Sequence, residues 1–144
     1  MNKLIDAVYE MLKADSEFMD LLNLTPSSRP EEIELRITRG MEPGVALSKQ
    51  TVPHVMLYEK PGQYGRNHLV YEAQFCLECC ASTTVQAKSM TDRAFVLFHE
   101  RRVIRPYFRS VSRSRLAHDG PFATGIRDVK GYEAIFDVDY IRKN

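Results

Sequence analysis

The sequence predicts an α+β fold: an antiparallel sheet of about four strands with two main helices packed on one face. Three observations carry that expectation. Two stretches, 69–79 and 132–141, alternate apolar and polar residues at the period of a half-buried strand. Two others, 2–13 and the segment opening at Ser82-Thr83-Thr84, place apolar residues at helical spacing. The links between strands are short and rich in turn residues, which favours antiparallel neighbours.

Along the chain, Leu4, Ile5, Val8, Met11 and Leu12 form the stripe of a first helix, with Tyr9 at its edge and Lys3, Asp6, Glu10 and Lys13 opposite. Asp15 or Ser16 can cap a second short turn whose contacts are Phe18, Leu21 and Leu22. The run TPSSRP at 25–30 ends regular structure. Segment 23–53 is expected to be partly irregular. Within it Ile33, Leu35 and Ile37 alternate with charged residues, as in a short half-buried strand, and 40–53 reads as a long loop of the kind that is often functional or mobile.

A strand over His54 to Glu59 follows, then a turn at Pro61 to Asn67, then the long strand with Leu69, Tyr71, Ala73, Phe75, Leu77 and Cys79 on one face. This reads as a hairpin with one wet face. Thr83 and Gln86 have capping-box spacing ahead of Ala87, Met90, Ala94, Leu97 and Phe98. That helix is expected to end near His99 to Arg102, with Pro106 forbidding continuation. Residues 107–117 suit a polar strand, and His118-Asp119-Gly120-Pro121 reads as a turn. The closing strand points Tyr132, Ala134, Phe136, Val138 and Tyr140 one way. Its alternation mirrors that of 69–79, so both are expected to line one core.

A chain of 144 residues suits a single domain able to bury enough surface to fold without a staple. Its three cysteines, Cys76, Cys79 and Cys80, are clustered and odd in number, unlike a secreted disulfide framework. The amino terminus lacks the apolar core of a signal peptide, and no apolar run approaches the ~20 residues that span a bilayer. These features lead to the expectation of a soluble, reduced, cytosolic protein that is not an enzyme and contacts no membrane.

The search for chemistry is consistent with that expectation. Cys76 and Cys79 have redox or zinc spacing, but in a strand they point to opposite faces, so packing is the expected role. His99-Glu100 lacks the later histidine of a zinc-protease motif, and His54, His68 and His118 are scattered. Gly62 and Gly65 lead into a strand rather than a helix N-terminus, so no phosphate loop is expected. Ser110, Ser112 and Ser114 have no paired base. Asp137 and Asp139 share a face that reads as solvated. No catalytic, cofactor-binding or metal-ligating residue is therefore assigned.

Charge is the exception to this blandness. Net charge is +1, yet Arg101, Arg102, Arg105, Arg109, Arg113 and Arg115 crowd into fifteen residues, while the first 34 carry eight carboxylates. Arg109, Arg113 and Arg115 fall on one strand face. Arginine's planar fork suits carboxylate and phosphate partners. A solvated strand, the acidic part of a neighbouring subunit, or nucleic acid bound along 101–115 are the three readings. With only Tyr107 and Phe108 interleaved, a base-stacking platform has thin support. Val85 and Val96, opposite the apolar stripe of the main helix, form a second apolar spot suited to a subunit contact.

The order of the pieces IDAVYEMLKADSEFMDLL, VPHVMLYE, PGQYGRN, VYEAQFCLECCAS, TTVQAKSMTDRAFVLFHE and YEAIFDVDYI resembles the tail terminators and related tail-completion or head–tail joining proteins of tailed phages. The resemblance covers most of the chain, with 23–53 longer than in that pattern. It implies a non-enzymatic virion subunit, assembled in the host cytoplasm and resident in the tail, that forms a ring, typically hexameric. Its partners would be further copies of itself, the tail tube protein and the head completion protein, with DNA passing through the opening. No cofactor is implied. The candidate contacts with partners or passing DNA are Gln63, Tyr64 and Arg66 in the hairpin loop and Arg105, Arg109, Arg113 and Arg115 beyond it.

Overall fold

The computed structural model describes residues 3–142 except 43, 45 and 107. The elements in chain order are α1 (Lys3–Ala14), α2 (Ser16–Leu21), α3 (Pro30–Arg36), β1 (Ile37–Arg39), β2 (His54–Tyr64), β3 (Val70–Ala81), α4 (Thr84–Phe98), β4 (Arg101–Arg105), β5 (Phe108–Phe122) and β6 (Lys130–Ile141). The strands form one curled, half-barrel sheet in the order β1-β2-β3-β6-β5-β4. The expected four-stranded antiparallel sheet with two helices is therefore overturned. Among the described residues there are six strands, with β1 parallel to β2, and four helices.

Each departure has a local cause. Segment 31–37 is helix before it is strand, because Pro30 occupies the first helical position and Glu31 and Glu32 fill the first turn, both favourable at a helix N-terminus. Only Ile33 of α3 is buried, and the chain turns extended at Ile37 to lay β1 beside Val55–Leu57. Strand β2 continues through Pro61 and Gly62, where a register shift between Lys60 and Gln63 absorbs the proline. The expected turn at 61–67 is thus shortened to the residues beyond Tyr64. Since β1 covers only Val55 to Leu57, Pro61 sits where β2 has a free side and loses no ladder bond.

Helix α4 starts as its cap dictates, with the backbone N–H of Gln86 donating to Thr83 Oγ1 at 3.1 Å. It stops at Phe98, earlier than expected. His99 is extended and Glu100 adopts a φ of 59°, so a two-residue link leads into β4. The run His118–Pro121 is not a turn. It continues β5 against β6, with a register shift between Leu116 and His118. β4 pairs with β5 only as far as Ser114, so Gly120 and Pro121 lie where the other side of β5 is open. Opposite them, Gly131 pairs with Phe122, whose ring occupies the space a Cβ would need, at 2.5 Å.

The core lies inside the curl. Phe75 and Phe136 stack at 5.2 Å between centroids, and Phe98 of α4 meets both edge-on at 5.4 and 5.7 Å. Leu4, Val8 and Leu12 of α1 and Phe18 and Met19 of α2 are fully buried in the same cluster. The outer face is not uniformly wet. Val52, Met56, Cys80 and Val129 form a smaller apolar cluster there, with Leu47 and Phe122 packed on it.

Asp15 ties the helical layer together. Its carboxylate accepts the Phe18 backbone N–H at 2.8 Å as the cap of α2, and takes both Nε and Nη2 of Arg93 in α4 at 2.9 and 2.8 Å. The bond from Arg93 holds the Asp15 carboxyl below its ordinary value of 3.8. A lowered carboxyl pKa stabilises the fold above the unfolded value, and that contribution is lost as pH falls through the folded one. Asp15→Ala is expected to cost about 2 kcal/mol at neutral pH, from a lost cap and a lost charge-assisted pair. Urea unfolding measures it, and the difference from wild type should shrink below pH 3.8.

Candidate functional site

The arginine-rich segment does not form a single face. β4 and β5 pair so that Arg102 lies opposite Arg113 and Ile104 opposite Arg109. Arg115 turns to Glu100 at 3.1 Å, and Arg101 Nε donates to the Val96 carbonyl at 3.2 Å. Between them the serines close the backbone. Ser110 Oγ accepts from Val103 N at 3.0 Å and donates to the Ser112 carbonyl. Ser112 Oγ accepts from Asp139 N, and Ser114 donates to the Phe98 carbonyl. These hydroxyls satisfy buried or irregular backbone where the β4–β5 and β5–β6 registers shift. Tyr107 is outside the described residues. Phe108 is 9% exposed and packs on Tyr140 at 5.3 Å, which leaves little of its ring for stacking.

What the fold assembles instead is a groove of about 1160 Å³ across one end of the curl. Among the described residues Lys3, Lys60, Arg102, Arg105, Arg109 and Arg142 line it, from α1, β2, β4, β5 and the residue after β6, against a single carboxylate, Glu59. Its floor is apolar and aromatic, with Tyr71, Ile104 and Phe108 among the lining. Arg142 sits over the Tyr71 ring at 4.8 Å. Glu59 accepts the Tyr140 hydroxyl at 2.8 Å. Burial, and then that bond, pushes the Tyr140 hydroxyl well up from its ordinary value. The Nε of Arg105 is buried and has no hydrogen-bond partner among the described residues.

Of the candidate contacts, Arg105 and Arg109 line the groove, and Arg113 and Arg115 do not. Gln63, Tyr64 and Arg66 are exposed on the hairpin that rises from its rim at Pro61 and Tyr71. Tyr64 meets Tyr71 edge-on at 5.3 Å. Lys3, Lys60 and Arg142 are the residues that sequence spacing could not find, because they come from three separated parts of the chain. Val85 and Val96 are both exposed, but eleven residues separate them, so about 16 Å of helix lies between. They do not form one spot.

The cysteines are buried and unpaired. Burial pushes the Cys76 and Cys80 thiols up to about 11, and Cys79 well above its ordinary value. Cys76, Glu78 and Glu133 bring one possible ligand atom each within 4.8 Å of one another. Glu78 already accepts the Tyr58 hydroxyl at 2.8 Å, and a protonated thiol is a poor metal ligand. No helix among the described residues is long and apolar enough to cross a membrane.

His54 reports on the same region. Its Nδ1–H donates to the Leu35 carbonyl at 3.0 Å, and Nε2 lies 2.8 Å from the Thr38 hydroxyl, which donates to it in the neutral ring. Burial lowers its pKa below 6.5. Below that pH the unfolded chain takes up a proton first, so this contribution to stability weakens as the solution becomes more acid. Two measurements follow. A thiol reagent should label the native protein at a rate limited by opening, and all three cysteines at once in denaturant. His54→Gln should flatten the loss of stability between about pH 6.5 and 5, read from urea midpoints.

No protein-family model matches the chain, and no curated protein matches it either. Solved structures do match it. One of them is a chain of the virion of a native gene transfer agent (GTA) particle, superposing with a TM-score of 0.66 over 95% of this chain and 93% of that one. The two are 13% identical, and what they share is the fold.

Proposed function

We propose that this chain is a structural subunit of a virion. The observation that supports the reading is the match to a virion chain over nearly the full length of both proteins. Near-complete mutual coverage means that the shared part is the whole fold and not a common supersecondary piece. In its finer form the proposal follows the sequence resemblance: the subunit self-associates into a ring that ends a tail tube or joins it to a head, and it works by binding rather than by catalysis. The fold suits such a role. It presents an open groove and an exposed hairpin around a buried aromatic core, so that contacts can form without unfolding. Measuring the mass of the purified protein by light scattering, alone and mixed with tail tube subunits, tests the proposal. Assembly into a ring, alone or on the tube, is the expected result; a monomer in both conditions would sink it.

The second reading is a nucleic-acid-binding module. The concentration of six cations in one groove is the observation in its favour. Against it stand the engagement of Arg115 by Glu100 and the burial of Phe108. This reading requires duplex or single-stranded DNA to bind with an affinity that falls by about a thousandfold or more between 50 and 200 mM salt if six phosphates are neutralised. Fluorescence anisotropy across that range decides it, and absence of binding at the lowest salt removes the reading.

A further inference from the structure

The basic groove has a complementary shape and charge elsewhere on the same chain. α3 stands out from the body, with Ile33 its one buried residue. On a helical wheel Glu34, Glu31 and Leu35 form a continuous outer face, opposite Ile33. Leu35 is 58% exposed there. Glu32 pairs with Arg29 at 3.2 Å, while Glu31 and Glu34 form no salt bridge among the described residues. That face therefore offers two carboxylates beside an apolar side chain. Among the described residues the groove offers six cations around an apolar floor.

We infer that the groove of one copy receives α3 of the next. The size fits. Seven residues of α-helix fill a cylinder of roughly 800 Å³, about 10 Å long and 10 Å across, and the groove measures about 1160 Å³. A chain cannot fill its own groove. Arg36, at the end of α3, is held by the carbonyls of Thr51 and Pro53 at the start of β2, while the groove meets β2 only from Glu59 onward. Those six residues of extended strand hold the two apart by about 20 Å. In strand order α3 leads into one edge of the sheet, β1, and the groove covers the other, β4. A contact between different patches on identical chains is head-to-tail, and head-to-tail contacts close into rings when the rotation permits. Nucleic acid matches the charge but not the apolar floor, which an exposed leucine fills. The inference rests on the self-associating subunit proposed above and names its interface.

Single-cysteine crosslinking tests it without needing a stable ring. The native cysteines are buried, so new surface thiols react alone. Leu35→Cys and Ile104→Cys each replace an exposed residue, one on α3 and one in the groove. Mixed under mild oxidation, the two variants should give a disulfide-linked pair, and neither should do so alone. Adding Arg105→Glu and Arg109→Glu to the groove variant should cut the yield about tenfold. Adding Glu31→Lys and Glu34→Lys to the α3 variant as well should restore it, which a misfolded groove could not do. Equal crosslinking by either variant alone would mean a symmetric contact and overturn the inference. So would a wild type that assembles while the mixture never crosslinks, and that result leaves the virion reading intact. If the groove reversals abolish duplex binding but leave crosslinking unchanged, the groove belongs to nucleic acid. A crosslinked pair without ring formation keeps the interface and removes the ring.

Discussion

Twelve consecutive residue pairs join β3 to β6, from Val70 with Ile141 to Ala81 with Lys130, without a break in register. The β2–β3, β4–β5 and β5–β6 ladders all slip somewhere. This one cannot, because its inward positions carry the core. Ala73, Phe75, Leu77 and Cys79 face inward beside Val138, Phe136, Ala134 and Tyr132, and the Phe75–Phe136 stack is what Phe98 closes over. A slip of one residue would turn all of them outward. Burying a phenylalanine side chain contributes about 1.5–3 kcal/mol, so three in mutual contact outweigh the bulges tolerated at the periphery. The position of α4, and through the Asp15–Arg93 pair that of α2, follows from this ladder.

The central ladder was also the most legible part of the sequence, for the same reason. Strict alternation is visible only where one face is buried along a strand, as in 71–79 and 132–140; Leu69, expected on the same face, precedes β3 and is exposed. The cap at Thr83 and the cap at Asp15 were legible because they are local. What was not legible depends on neighbours distant in sequence. β4 is five residues of mostly exposed side chains, defined only by its pairing with β5. The turn chemistry of His118 to Pro121 is genuine, but twelve residues of β6 outweigh it, and the open side of β5 removes the usual objection to proline. In 31–37 a period of two coincided with helix-start residues. Pro30 with two glutamates was the better signal.

The candidate site divides in the same way. Arginine enrichment in 101–115 was evident by counting, and it located Arg105 and Arg109. It could not show that strand pairing sends Arg113 and Arg115 elsewhere. Nor could it show that Lys3, Lys60 and Arg142 join them across the end of the curl. A groove is a property of tertiary structure, and its charge is the sum over several elements.

The half-barrel is never closed, which leaves unpaired backbone along β1, the outer half of β2, β4 and the last third of β5. Each open length is blunted differently. β1 is three residues long, Pro61 interrupts β2, β4 is kinked and studded with arginine, and Gly120-Pro121 guards β5. These are the devices by which soluble sheets avoid stacking edge to edge. The consequence falls on any contact this sheet makes with another protein. Main-chain ladders, which are nearly indifferent to sequence and to ionic strength, are barred. Recognition is left to side chains, whose pairing is selective and reversible.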